Sequence, residues 1–294
     1  MSLSLSQIQR CAVLGAGTMG HGIAQIAAQS GFEVVLFDVT REAAEKGLAR
    51  IRSNLETGVA KGKVTPGTRD ATLARLRAVD TLAATEGSQW VVEAVPEDLG
   101  LKQKLLGEVA KLLGPKALLA SNTSSLSLTQ LAAGLPHPER VIGMHFFNPP
   151  HLMKLVELVR ADQSSAETVA LARALGEKLG KTCIEVRDSP GFASSRLGIC
   201  LAMEAIRMVE AKVASPADID AAMELGYNHP MGPLKLTDLV GLDVRLTIAD
   251  YLRESLGSEV FRAPELLRQM VAEGKLGKKS GEGFYRYDAP SKSK

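Results

Sequence analysis

Three glycines near the start of the chain, Gly15, Gly17 and Gly20, stand at the spacing G-x-G-x-x-G. Cys11 to Leu14 before them form an apolar run, and Met19, Ile23, Ile26 and Ala27 follow at helical spacing. A strand, a glycine turn and a helix in that order cradle a dinucleotide pyrophosphate. Gly15 permits a tight turn, Gly17 lets the backbone approach a phosphate, and Gly20 lets the helix pack close to the strand. The helix N-terminus adds free N–H groups and the positive end of its dipole. Gly15, Gly17, Thr18, Met19 and Gly20 are therefore the candidate cofactor contacts of this loop. A second apolar run, Val34 to Phe37, ends in Asp38. A carboxylate there accepts hydrogen bonds from the adenosine ribose and repels a 2′-phosphate, so NAD is expected rather than NADP. Two other readings stay open. Asp38 can cap a helix, and Arg41, three residues on, can face a phosphate.

His145 is one of five histidines and follows a predicted strand, Val141 to Met144. Leu155 to Val159 returns as another strand and carries Glu157. If the turn between them sets Glu157 beside the ring, its carboxylate fixes the tautomer and raises the basicity of the other nitrogen. That pair can take the proton of a secondary alcohol while hydride leaves its carbon for nicotinamide. Ser121-Asn122-Thr123-Ser124-Ser125 ends the predicted strand Ala117 to Ala120. Polar residues at the carboxyl end of a parallel strand sit where doubly wound sheets bind ligands. The same hydroxyls also suit a helix N-cap.

These residues need a scaffold. The 294 residues suggest about two domains. Hydrophobic content of 45% and charged content of 23% suit a globular chain with a full core. The net charge of +2 is dispersed, with no polybasic block, which argues against a nucleic-acid or membrane-surface role. No apolar run approaches a membrane span, and no signal peptide is visible. Cys11, Cys183 and Cys200 lie in apolar surroundings and read as buried free thiols, not a metal or disulfide set. They point to a reducing compartment, the cytoplasm.

The predicted elements alternate strand and helix up to a strand at Thr182 to Val186. Arg41 to Lys61 and a helix from Pro66, with Leu73 and Leu76 inward, form an inserted helical hairpin over about 41–77. Its tip holds Lys61 and Lys63, either a solvated turn or a contact for an anionic ligand. Trp90 to Ala94 is a buried strand with an uncommon charge, Glu93, and Leu99 to Leu113 is a helix. After Asp188-Ser189-Pro190-Gly191 only helices are predicted. Phe192 to Glu210 is apolar on nearly every face, which predicts burial on all sides. Phe284 and Tyr285 suggest that the glycine-rich tail packs back. The expected class is α/β: a Rossmann-type dinucleotide-binding domain, 1–187, followed by an all-α C-terminal domain, 188–294.

The segments V-L-G-A-G-T-M-G, V-V-E-A-V-P-E, S-N-T-S-S-L, H-F-F-N-P-P, K-L-V-E-L-V, D-S-P-G-F, M-G-P and G-K-K-S-G-E-G-F-Y occur in this order along the chain. In them the chain resembles the L-3-hydroxyacyl-CoA dehydrogenase family, and its short-chain 3-hydroxybutyryl-CoA members most of all. The resemblance implies His145 as catalytic base, Glu157 as its orienting carboxylate, and Ser124 as a contact of the reacting hydroxyl and the nicotinamide side. It implies Asp38, Glu97, Lys102, Asn148 and Lys279 as NAD contacts, and Asn54 and Lys61 as coenzyme A contacts. An acyl-CoA substrate and a homodimer formed through the C-terminal helical domain also follow from it. The family usually has asparagine where this chain has Ser195. Ser195 can replace it as a substrate contact or can cap the helix after Pro190-Gly191. Hydroxyisobutyrate- and phosphogluconate-type dehydrogenases share the layout but use a lysine on the first helix of the second domain, and Phe192 to Ala211 contains none. A non-catalytic, λ-crystallin-like relative is the remaining alternative, and the presence of both His145 and Glu157 argues against it.

Overall fold

The structure, a computed structural model, describes residues 3–287. The outermost residues of both predicted domains, 1–2 and 288–294, lie outside the described residues. The chain divides into two compact units, one through Phe192 and one from Ala193. The first unit begins β1 (Arg10–Leu14), α1 (Gly20–Gln29), β2 (Glu33–Phe37), α2 (Arg41–Ala60), α3 (Pro66–Ala74) and β3 (Leu76–Val79). It continues through β4 (Trp90–Glu93), α4 (Leu99–Leu113), β5 (Leu118–Ser121), α5 (Leu128–Ala133), β6 (Val141–Phe146), β7 (Leu155–Arg160), α6 (Ala166–Lys178) and β8 (Thr182–Arg187). The eight strands form one sheet in the order β3-β2-β1-β4-β5-β6-β7-β8. Only the β6–β7 pair is antiparallel.

The strand order reverses between β1 and β4. The carboxyl ends of these two strands therefore diverge into a crevice, the place where open α/β sheets bind ligands. Alternate residues of β1 face opposite cores, Cys11 and Val13 toward one side and Ala12 and Leu14 toward the other. Both faces are covered by helices, which is why β1, β4, β5 and β6 are mostly apolar along their length.

The sequence puts Leu76 on the second helix of the hairpin, but that helix ends at Ala74 and Leu76 opens β3. β3 is a four-residue edge strand pairing with β2, Leu76 opposite Val34. So short a strand has too few residues for its period to show. Asp188 to Phe192 belong to the first unit. There Asp188 accepts from Ser127 Oγ at 2.7 Å and Thr129 N at 2.8 Å, and Phe192 is buried in its core.

The second unit holds α7 (Ser194–Glu210), α8 (Pro216–Gly226), α9 (Pro233–Val240), α10 (Leu242–Leu256) and α11 (Glu265–Ala272). The sequence predicts α7 buried all round; in the single chain it is amphipathic. Ile199, Ala202, Met203 and Ile206 form its buried stripe at helical spacing, whereas Leu197 is 70% exposed. The tail does pack back: Phe284 N and Tyr285 N donate to Asp238, and Tyr285 Oη donates to Asp220 at 2.6 Å. Cys11 is buried, and burial pushes its thiol pKa up. Cys183 and Cys200 are only half-buried, contrary to expectation, Cys183 because it lies on the edge strand β8. Among the described residues no helix is long and apolar enough to cross a membrane.

Candidate active site

The glycine loop turns at the end of β1. Gly15 has φ +97°, and a Cβ there would meet the Ala94 carbonyl oxygen at 2.7 Å. A Cβ on Gly20 would lie 1.7 Å from the Gly15 carbonyl oxygen, so only glycine lets α1 start so close to the strand. Gly17 has open space where a Cβ would stand. Met19 precedes α1 with no side-chain cap, and Gly17, Thr18 and Met19 line a cleft of about 510 Å³. An uncapped helix N-terminus on a cleft, beside a backbone without side chain, fits a bound pyrophosphate.

Asp38 follows β2 and ties its end to this loop. Oδ2 accepts from Ala16 N and Oδ1 from Val39 N, both at 2.8 Å. It does not cap α2; Thr40 does, accepting from Ala43 N. Arg41 is turned away to Glu45, at 2.7 Å. The half-buried Asp38 carboxylate therefore has no guanidinium paired to it. NADH is expected to exceed NADPH in kcat/KM by at least about tenfold, the equivalent of about 1.4 kcal/mol of repulsion. Equal use of the two cofactors in parallel assays would rule out this role for Asp38.

His145 and Glu157 stand directly opposite each other in the antiparallel β6–β7 pair. Directly opposed residues project on the same face, close enough for their side chains to meet. Nδ1 of His145 lies 2.7 Å from Glu157 Oε2. Glu157 is fully buried and His145 is 7% exposed. The imidazole also packs against Phe147 and Phe192, with ring centroids at 4.7 Å and 5.7 Å. Carboxylate and aromatic neighbours together leave the ring little freedom, while His145 still lines the cleft beside Asn122, Ser124 and Asn148.

The serine loop after β5 is organised by Glu97. Its Oε1 accepts from the Ser124 N–H at 2.9 Å, the Ser125 N–H at 3.2 Å and the Thr123 hydroxyl. Burial raises the Glu97 pKa, but the Lys102 ammonium and the bonds from Thr123 and Ser124 outweigh it and hold the carboxyl below its usual range. The cap of α5 is Ser127, outside the run. Ser124 itself is exposed. Lys102, by contrast, is 1% exposed, and its ammonium is spent on Glu93, Val95 and Glu97. Asn122 belongs to the polar cluster that the sequence flags, but the sequence gives it no role of its own. It lines the cleft, and its Oδ1 accepts from Phe146 N at 2.9 Å, joining the serine loop to the strand of His145.

The other expected contacts lie elsewhere. Asn54 on α2 donates to Gln25 on α1 at 3.2 Å. Lys61 and Lys63 are exposed at the turn after α2. In the second unit, Ser195 is the second residue of α7 and Ala193 is its N-cap, so Ser195 is not the cap. Lys279 pairs with Asp243 at 2.6 Å.

A glycine turn at a sheet's switch point, a carboxylate at the end of β2 and a carboxylate-held histidine on one unit fit an NAD-dependent dehydrogenase. Comparison with known proteins narrows this. Residues 10–189 match the NAD binding domain of 3-hydroxyacyl-CoA dehydrogenase, and residues 191–287 match its C-terminal domain. The chain belongs to that family. It is 46% identical over 282 residues to a probable 3-hydroxybutyryl-CoA dehydrogenase of Bacillus subtilis, covering 96% of this chain and 98% of the relative. It is 43% identical to a 3-hydroxybutyryl-CoA dehydrogenase of Mycobacterium tuberculosis, covering 95% and 99%. The crystal structure of (S)-3-hydroxybutyryl-CoA dehydrogenase from Ralstonia eutropha superposes with a TM-score of 0.93 at 41% identity, covering 96% and 100%.

Proposed function

We propose that the protein interconverts (S)-3-hydroxyacyl-CoA and 3-oxoacyl-CoA, with the 3-hydroxybutyryl and acetoacetyl pair as its substrates. The observation that carries this reading is the 2.7 Å contact between His145 and the buried Glu157 on a cleft shared with the glycine loop. The names of the relatives support the substrate. The glycine loop and Asp38 would hold NAD, which would supply the acceptor for the hydride of the hydroxyl-bearing carbon and its donor in the reverse direction. His145 Nε2 takes the hydroxyl proton as the carbonyl forms, and Glu157 steadies the imidazolium through Nδ1–H. The Ser124 hydroxyl donates to the reacting oxygen. Asp38, Glu97, Asn148 and Lys279 serve NAD, and Lys102 serves it through its neighbours. Asn54 and Lys61 serve coenzyme A, and Ser195 serves the substrate. Loss of NADH absorbance on adding acetoacetyl-CoA tests the reading; no turnover with this or longer 3-oxoacyl-CoA esters would overturn it.

The exposed lysines of the hairpin give a further expectation. Replacing Lys61 and Lys63 by glutamate should raise KM for acetoacetyl-CoA, and more at low salt, because exposed charges attract over about 10 Å at 0.1 M and over longer distances below that. An unchanged KM at low ionic strength would return both to the role of a solvated turn. The helical unit leaves Leu225, Tyr227 and Leu239 exposed, which supports a homodimer formed through it. A monomer in sedimentation at assay concentration would exclude that. The free thiols suit the cytoplasm.

A further inference from the structure

Glu93 takes no part in the chemistry above, yet it is a fully buried carboxylate at the edge of the crevice. It ends β4, opposite Leu14 of β1 and Ser121 of β5, the strands that carry the glycine loop and the serine loop. Oε1 accepts from Lys102 Nζ at 2.6 Å and from Val95 N at 2.7 Å. Oε2 accepts from Ser121 Oγ at 2.5 Å. Lys102 gives its remaining donors to the Val95 carbonyl at 3.1 Å and to Glu97 Oε2 at 3.2 Å. Glu97 then holds the Ser124 N–H at 2.9 Å. A second route leaves the Glu93 backbone. Its carbonyl accepts from Asn122 N at 2.8 Å, and the Asn122 side chain reaches Phe146 N, next to His145.

An apolar side chain would fill the end of β4 without the cost of removing charges from water. What the charged series adds is direction. Lys102 arrives from α4, and its ammonium faces Glu97 because Glu93 and Val95 hold it from behind. A carboxylate–ammonium–carboxylate series of this kind restrains the loop, and catalytic geometry tolerates only about 0.5 Å of error. We infer that Glu93 is a positioning residue for the reaction, acting through Lys102 and Glu97 to hold Ser124 and its loop in line with His145. The inference rests on the roles given above to His145 and Ser124.

Steady-state kinetics and NADH fluorescence titration on Glu93→Gln, Glu93→Asp, Glu97→Gln and the Glu93→Gln/Glu97→Gln pair test it. Glutamine keeps the size and withdraws the charge; aspartate keeps the charge and sets it back by one methylene. Both Glu93 variants should lose at least about tenfold in kcat, within the roughly hundredfold that a misplacement of about 1 Å can cost. Their Kd for NADH should rise by a smaller factor than kcat falls, because the glycine loop and Asp38 still hold the cofactor while Glu97 and the serine loop shift. The double variant should be no slower than the slower single one, since both substitutions cut one path. Glu93→Asp retains the counter-charge of Lys102, so it folds even where glutamine does not. A Glu93→Asp enzyme with wild-type kcat and a lowered melting temperature would make the series a structural ion pair and overturn the inference. Additive losses in the double variant would also overturn it. Inactive His145→Gln beside fully active Glu93 variants would remove this inference and leave the role of His145 standing.

Discussion

Replacing His145 by glutamine is expected to lower kcat with acetoacetyl-CoA by about 10²–10⁴-fold, the range that a positioned general acid–base supplies. Glutamine is close to imidazole in reach and can still bond Glu157, so the strand pair and the packing against Phe147 and Phe192 should survive. It has no nitrogen that can accept a proton near neutral pH, so the hydroxyl proton loses the acceptor that His145 provided as hydride leaves. NADH affinity should hold, because the glycine loop and Asp38 contact neither β6 nor β7 through any hydrogen bond described above. A variant that keeps more than about a tenth of wild-type kcat would falsify the assignment, since loss of a true base costs at least about a hundredfold.

The Glu157→Gln enzyme should fall by a similar factor, about 10²–10⁴-fold in kcat, although Glu157 touches no substrate. Its carboxylate is fully buried on β7, and its Oε2 accepts from Nδ1. An amide can turn its NH2 toward the ring and favour the tautomer that puts the proton on Nε2, where the base must be free. It also carries no charge to set against the imidazolium, and water is excluded from the pair. KM for NADH should change little. His145→Gln and Glu157→Gln combined should be hardly slower than His145→Gln alone, because residues acting as a unit are not additive. If the double variant shows the product of the two single losses instead, the carboxylate works apart from the histidine.

Much of this site was legible before the fold was known. Gly15, Gly17 and Gly20 declared a phosphate-binding turn because each glycine answers a separate steric demand, and those demands act over a few residues. Asp38 was legible because the length of a βαβ unit is nearly constant. His145 directly followed one short apolar run and Glu157 stood on the next, across a proline-rich turn that brings them together if the strands pair in the right register. The sequence could not show that they do. A shift of one residue would send Glu157 to the other face of the sheet.

The role of Lys102 was not legible. The resemblance implied it as an NAD contact; in the fold it is 1% exposed between Glu93 and Glu97. Glu93 did carry a signal, a carboxylate inside an apolar strand, but nothing local names its partner. The N-caps also resolved late. Thr40 and Ser127 take positions that Asp38 and Ser124 could equally have filled, because neighbouring hydroxyls and carboxylates serve a cap alike, and α7 begins after Ala193 with no side-chain cap at all.

Residue types and spacing alone set the local order: which runs become strands, where the chain turns, which helix opens on a glycine loop, and the change to an all-helical second half. Such features depend on neighbours within about one or two turns of chain. Packing decided everything that joins distant segments. The register of β6 on β7 made a dyad of two residues twelve apart. The pairing of β3 on β2 ended the hairpin at Ala74, and the pairing of β5 on β4 set Ser121 against the Glu93 carboxylate that also holds the Lys102 ammonium. The energy of those contacts depends on burial and direction across the sheet, which no local pattern encodes.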